Sequence, residues 1–266
     1  MATTASPGTA LITGASTGIG ATYADRLARR GYSLVLVARD QQRLDGVAAR
    51  LRQQYGVVVE TLQADLTARA DLARVEQRLA RDAAITLLLN NAGSTVEGSF
   101  VGSDMDKVEN MLTLNITAPT RLAKAAAGRM AVAGAGTIIN LGSVTSLLPE
   151  SFSGTYSGSK AYMLNLSIAM QAELSTSGVR VQAVLPGATR TEIWERAGID
   201  LNAFPPGMVM SVDDMVDAAL SGLDQGEAVT IPSLPDMADW QRYTDARLAL
   251  QPNLSRSAAA PRYNKS

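Results

Sequence analysis

Apolar residues along this chain fall in short unbroken runs, and between the runs they recur every three or four positions. That is the pattern of buried strands alternating with amphipathic helices. The runs Ala10 to Ile12, Ser33 to Val37, Val57 to Gln63, Ile85 to Leu89, Thr137 to Leu141, Val179 to Leu185 and Ala228 to Ile231 predict strands. Helical spacing predicts helices from Ala21 to Ala28, Gln41 to Gln54, Ala68 to Ala80, Asp104 to Met130, Tyr156 to Leu174, Val212 to Leu223 and Asp236 to Leu250. Ser211-Val-Asp-Asp214 opens one of these with a capping-box-like start. Such alternation implies an α/β fold: a doubly wound parallel sheet, Rossmann-like, of about seven strands with helices on both faces. One catalytic domain is expected over residues 1–250. Residues 251–266, rich in Ser, Ala, Pro and Asn, read as a flexible or partner-draped tail.

Composition narrows the chemistry. The 266 residues are 46% hydrophobic and 18% charged, which suits one sizeable domain. The net charge is −1 with no block of like charge, so neither nucleic acid nor an anionic membrane is an expected partner. Cysteine and histidine are both missing, which removes disulfides, thiolate metal sites and imidazole catalysis. No metal is therefore expected, and proton transfer falls to Tyr, Lys, Ser, Asp or Glu. MATTASPGT at the start lacks a basic segment followed by an apolar one, and no stretch of 18 apolar residues occurs, so a cytoplasmic protein is the expectation.

After the first strand comes Thr13-Gly14-Ala15-Ser16-Thr17-Gly18-Ile19-Gly20, then a helix. A strand, a glycine-rich turn and a helix are the context that a dinucleotide-binding motif requires, with a plain tight turn the alternative. Gly14 permits the tight turn, Gly18 lets backbone approach a pyrophosphate, Gly20 allows close helix packing, and the phosphates sit over the helix N-terminus. The second strand ends in Ala38-Arg39-Asp40. A free ribose 2′-hydroxyl wants a carboxylate at that strand end and a 2′-phosphate wants an arginine, so Arg39 favours NADP(H), with Asp40 as ribose acceptor the alternative. Asp65 follows the third strand as a candidate acceptor for the adenine amino group, and Asn90-Asn91-Ala92-Gly93 follows the fourth. There the asparagines tie strand ends together and Gly93 lets the chain pass close to a cofactor. In the long central helix Pro119 has no N–H for the Asn115 carbonyl, which is left for another partner such as an ordered water.

Tyr156 and Lys160 lie four residues apart and share one helix face. A cation within about 4–6 Å favours an ionised phenol, whose free pKa is about 10, so Lys160 is expected to draw Tyr156 toward working pH. Ser143, at the carboxyl end of a strand, is placed to hold the same substrate oxygen.

Taken together, Thr13-Gly14-x-x-x-Gly18-Ile19-Gly20, Asp65, Asn90-Asn91-Ala92-Gly93, Asn115, Ser143, Tyr156-x-x-x-Lys160 and Pro186-Gly187 with Thr191 resemble the short-chain dehydrogenase/reductase family, over roughly Ala10 to Ile231. The resemblance implies Tyr156 as the acid in carbonyl reduction and the base in alcohol oxidation. It implies that Lys160 binds the nicotinamide ribose, Ser143 the substrate oxygen, and the Asn115 carbonyl a relay water. Asn115, Ser143, Tyr156 and Lys160 are thus the candidate catalytic set. Cofactor contacts are implied for Gly14, Ser16, Thr17, Gly18, Ile19, Gly20, Arg39, Asp65, Leu66, Asn91, Ala92, Gly93, Tyr156, Lys160, Pro186, Gly187, Thr189 and Thr191. Gly142 stands where many members carry serine, and Ala15, Ser16 and Thr17 lack the basic residue that NADP-preferring members often have. Relatives are commonly homotetramers or homodimers, so a homo-oligomer is expected.

Glu192 to Met210 corresponds to the family's mobile substrate flap. Its Ile193, Trp194, Leu201, Phe204, Met208 and Met210, with Leu147, Leu148 and Phe152, suggest an uncharged hydrophobic ketone or aldehyde. Glu150 either reads a cationic group or faces water. The reading is an NADP(H)-dependent oxidoreductase acting on a small-molecule carbonyl or alcohol. The alternatives are a dinucleotide-binding redox sensor without turnover and, less favoured, a lyase or epimerase using the same tyrosine.

Overall fold

The computed structural model describes residues 7–96, 98–196 and 200–263. The first six residues, 197–199 of the expected flap and 264–266 of the expected tail lie outside the described residues. Two compact units are present, Met1–Pro232 and Ser233–Ser266.

In the first unit seven strands, β1 (Thr9–Thr13), β2 (Ser33–Ala38), β3 (Val59–Gln63), β4 (Ile85–Asn90), β5 (Gly136–Leu141), β6 (Val179–Val184) and β7 (Val229–Thr230), form one sheet in the order β3-β2-β1-β4-β5-β6-β7. Every neighbouring pair is parallel. The helices are α1 (Gly18–Arg29), α2 (Gln41–Tyr55), α3 (Arg69–Arg81), α4 (Met105–Leu112), α5 (Ala118–Ala133), α6 (Gly154–Leu174), α7 (Glu192–Arg196) and α8 (Val212–Asp224). Alternating residues of β1 serve opposite faces: Ala10 and Ile12 pack with α1, α2 and α8, whereas Leu11 packs with α3, α5 and α6. Both faces of the sheet are therefore buried, which is why its strands read as continuous apolar runs.

The order reverses between β1 and β4, so the carboxyl ends of these two strands frame the crevice where doubly wound sheets bind ligands. A short network holds that point together. Thr13 donates through Oγ1 to the Leu89 carbonyl and accepts from the backbone N–H groups of Asn91 and Ala92. Asn91 Nδ2 donates to the carbonyls of Thr13 and Gly14. One layer deeper, Asn90 donates to Asn140 Oδ1 at 2.9 Å, and Asn140 donates to Ser167 Oγ at 2.9 Å. These buried amides link β4, β5 and α6, and each such bond left unmade costs about 1–3 kcal/mol.

The continuous helix expected from Asp104 to Met130 is instead α4, a π-helical segment over Thr113–Thr117, and α5 with Pro119 in its first turn. Proline cannot donate to the Asn115 carbonyl, and the ladder widens there before resuming. Elsewhere the predicted ends shift by one to three residues: α1 begins at Gly18, β3 at Val59 and α6 at Gly154.

The unit from Ser233 holds α9 (Met237–Leu248) and two 3-10 turns, Gln251–Asn253 and Pro261–Tyr263. Asp236 caps α9 by accepting from the Ala238 N–H, and none of the helix's residues is buried. The helix thus groups with the tail, and the main unit ends at Pro232 rather than near 250.

Candidate active site

The glycine turn after β1 has the shape its sequence implies. Gly14 and Gly18 have φ of +66° and +52°, the left-handed region that favours glycine. A methyl on Gly20 would overlap the Gly14 carbonyl oxygen and come within 2.6 Å of Asn91 Nδ2. Thr17, at the N-cap of α1, makes no side-chain cap bond, and the first turn carries no acidic residue. The leading N–H groups of α1 thus meet the crevice uncapped by a side chain, which suits a phosphate. Gly20→Ala is expected to cost about 1–3 kcal/mol by overpacking and to abolish dinucleotide binding, read by denaturant titration and by cofactor fluorescence.

One cleft of about 860 Å³ runs from the ends of β2 and β3 to the flap. All of the predicted site residues line it except Gly20 and Asn115. Gly20 lies behind the turn as a packing glycine. Asn115 is buried beneath the cleft in the π-helical segment. There its side chain clamps the loop after β4: Nδ2 donates to the Ser94 carbonyl at 2.9 Å and Oδ1 accepts from the Ser94 N–H at 2.9 Å. Nδ2 also donates to Ser159 Oγ, whose hydroxyl donates to the Tyr156 carbonyl. Asn115 thereby ties the Gly93 loop to the helix of Tyr156.

Ser143 follows β5 and caps the short turn Val144–Ser146. Its Oγ accepts from the Thr145 N–H at 3.2 Å and from Thr145 Oγ1 at 3.0 Å, which leaves its own hydrogen to donate toward the Tyr156 hydroxyl. Gly142 has a packing reason: a Cβ there would meet Leu185 Cδ2 at 2.6 Å. Lys160 is 6% exposed, donates from Nζ to the Leu141 carbonyl at 3.1 Å and lies 5.7 Å from the Tyr156 ring centroid. Gly93 makes room here, since a Cβ would stand 3.2 Å from Asn115 Oδ1 and 3.6 Å from Lys160 Nζ.

Burial pushes the Tyr156 phenol up to about 12, opposed by the Ser143 hydrogen bond. Burial likewise pushes the Lys160 ammonium down to about 8. The expected lowering of Tyr156 by Lys160 therefore does not hold among the protein's own groups. Desolvation dominates, and Ser143 provides the opposing contact.

The nucleotide end holds further chemistry. Arg39 is exposed on the cleft, and its carbonyl accepts from Gln63 Nε2. Asp40 caps α2, its Oδ1 accepting from the Arg43 N–H at 3.0 Å, which engages the carboxylate that was the alternative ribose acceptor. Asp65 Oδ1 accepts from the N–H and the hydroxyl of Thr67. Arg43, which sequence reasoning missed, lines the cleft beside them. Its one signal in the sequence is a cation in the first turn of a helix, where the dipole favours anions.

Over the opposite end lies the flap, closed at its base by backbone pairing of Thr189 with Met210. Trp194 Nε1 donates to the Thr189 carbonyl at 2.7 Å and fixes α7. Phe152 lies 5.3 Å from the Tyr156 ring and 6.1 Å from Trp194, and Trp194 lies 5.5 Å from Phe204. Of the five Phe and Trp residues in the chain, these three line the cleft. Ile193, Met208 and Leu148 join them; Leu147, Leu201, Met210 and the exposed Glu150 are not in the lining.

The profile of the short chain dehydrogenase family matches residues 8–202. An uncharacterized oxidoreductase of Staphylococcus saprophyticus is 31% identical over 84% of this chain and 93% of its own length. A very-long-chain 3-oxoacyl-CoA reductase of Danio rerio is 32% identical over 69% of this chain, and this chain spans only 59% of that relative. Among solved structures, a short-chain dehydrogenase from Sphingobium yanoikuyae in complex with NADPH is 55% identical, with a TM-score of 0.93 over 96% of this chain and 100% of its own. A bulky-bulky ketone specific alcohol dehydrogenase from Comamonas testosteroni is 47% identical, with a TM-score of 0.89 over 96% of this chain and 98% of its own. With the glycine turn, the sheet order and these matches in hand, the chain belongs to the short-chain dehydrogenase/reductase family and is an oxidoreductase of that family.

Proposed function

We propose that the protein is an NADP(H)-dependent reductase of apolar, bulky ketones, with Tyr156 as proton donor. The observation that carries this reading is the aromatic wall of Phe152, Trp194 and Phe204, which starts 5.3 Å from the Tyr156 ring and lines the same cleft as Tyr156 and Ser143. Arg39 at the nucleotide end and the NADPH held by the Sphingobium relative support the choice of cofactor. The ketone specificity of the Comamonas relative supports the substrate class.

Gly93, Thr191 and Lys160 line the part of the cleft that would hold the nicotinamide, whose chemistry there would be hydride donation in reduction and acceptance in oxidation. Ser143 would turn to the substrate oxygen the hydrogen that it directs at the Tyr156 hydroxyl in this structure. Tyr156, protonated at neutral pH like any phenol and held still further from ionisation by burial, gives that oxygen its proton, the state that reduction consumes. Lys160, beside Gly93, would hold the nicotinamide ribose, and the Asn115 carbonyl would anchor a water leading from Lys160 toward solvent. Exposed Phe100 and Val101 in the loop before α4, with Met105 at its first position, support association into a homo-oligomer. A cytoplasmic setting fits a chain in which no described helix is long and apolar enough to cross a membrane.

The cofactor choice is tested by comparing kcat/KM with NADPH and with NADH on one aromatic ketone; NADPH is expected to lead, and equal values would sink the choice. Trp194→Ala is expected to raise KM for a diaryl ketone about tenfold while changing KM for a small aliphatic ketone much less, because edge-to-face contact is lost only for the former.

A further inference from the structure

Arg43 is a cation that the reading above leaves without a task. Its Nη1 donates to both carboxylate oxygens of Glu192, at 2.8 and 3.2 Å, and its Nε lies 3.4 Å from Asp40 Oδ2. Glu192 opens α7, next to Thr191, whose methyl group comes within 3.3 Å of where a Cβ on Gly18 would stand. β2 and β6 lie on opposite sides of β1 and β4, so the Arg43–Glu192 pair joins the β2–α2 wall of the cleft to the base of the flap. Both side chains are about half exposed, at 48% and 43%, and an ion pair so placed is held weakly.

Arg39, Arg43, Asp40 and Glu192 together carry no net charge, and all four line the cleft. A phosphate dianion entering among them meets two carboxylates, and one has to give way. Asp40 is committed to capping α2, whereas Glu192 reaches Arg43 from the flap across the cleft, so the Glu192 contact is the one that phosphate would replace. Planar guanidinium nitrogens bind phosphate as well as they bind carboxylate, so the exchange costs Arg43 no hydrogen bonds.

We infer that Arg43 is a second reader of the cofactor's 2′-phosphate, that Glu192 holds it in reserve, and that the exchange of Glu192 for phosphate sets the discrimination between NADP(H) and NAD(H). This rests on the NADP(H) reading above. With NADH the ion pair stays closed, because no phosphate competes for Arg43. With NADPH it opens, and the base of the flap loses its tie to α2.

Equilibrium fluorescence titration of NADPH and of NADH into the wild-type protein, Glu192→Gln, Arg43→Ala and the double variant tests the exchange without any turnover. Glu192→Gln keeps the side chain's shape and is expected to tighten NADPH about two- to fivefold, the strength of a half-exposed ion pair, and to leave NADH where it was. Arg43→Ala is expected to weaken NADPH about tenfold to a hundredfold with little change in NADH, and to erase the effect of Glu192→Gln in the double variant. Weaker NADPH binding by Glu192→Gln, or equal shifts for the two cofactors, overturns the exchange even where Arg43→Ala fails to fold. A wild-type protein that binds NADH as tightly as NADPH would instead defeat the cofactor reading itself, a result separate from the behaviour of the variants.

Discussion

Tyr156→Phe is expected to lower kcat for ketone reduction by about a thousandfold while changing NADPH affinity far less. The substitution removes one oxygen and leaves the ring that packs 5.3 Å from Phe152. Ser143, released from the phenol oxygen, would keep its hydrogen available to the substrate oxygen, because Thr145 continues to occupy the serine's lone pairs. What disappears is the proton. Among the described residues the cleft has no histidine or cysteine to replace it, and Lys160 is turned toward the Leu141 carbonyl. Pre-steady-state kinetics separates the two effects: binding of NADPH should proceed as in the wild type and the hydride step should stall. Loss of cofactor binding with kcat preserved would assign Tyr156 to the nucleotide rather than to the proton.

Lys160→Met is expected to separate stability from activity. An ammonium that is 6% exposed is costly, and burial lowers its pKa from 10.5 to about 8. The unfolded chain therefore binds this proton more tightly than the folded one, so stability rises with pH between about 8 and 10.5. Below that window the buried charge costs on the order of 3 kcal/mol. Methionine fills similar volume without the charge and gives up one hydrogen bond to the Leu141 carbonyl, worth about 1 kcal/mol. At pH 7 the free variant should be more stable than the wild type by about 1–2 kcal/mol, and the gap should close as pH passes 10. Its kcat/KM should fall about a hundredfold or more, since in the proposed mechanism both the ribose contact and the proton path run through Nζ. Urea titrations at pH 7 and pH 10 check the first claim. A variant less stable at both would make Lys160 a structural cation.

How far a residue's role reaches along the chain governs how much of it the sequence displays. The seven strands and their alternation with helices follow from local periodicity, and so do the tight turn at Gly14 and the spacing of Tyr156 and Lys160, because each is written within a few residues. Pro119 marked the place where the central helix departs from regularity, and the π-helical segment Thr113–Thr117 is what that mark became. Asn115 was legible through its carbonyl but not through its side chain, whose partner Ser94 lies 21 positions away. The ion pair of Arg43 with Glu192 spans 149 positions, and neither partner belongs to a motif. The pKa of Tyr156 was misjudged for a related reason: helix spacing brings Lys160 near, but the depth of burial that outweighs it depends on elements packed from all sides. Gly142, a departure from the family in sequence, became explicable only once Leu185 was seen beside it.

The most direct test of the central claim follows NADPH absorbance and alcohol product together, with the wild-type protein and a bulky diaryl or aryl-alkyl ketone at neutral pH. The account predicts one alcohol formed for each NADPH consumed, at a rate that collapses in Tyr156→Phe. Tight NADPH binding with no consumption across a panel of such ketones, in a protein whose Ser143, Tyr156 and Lys160 are intact, would contradict it and favour a dinucleotide sensor.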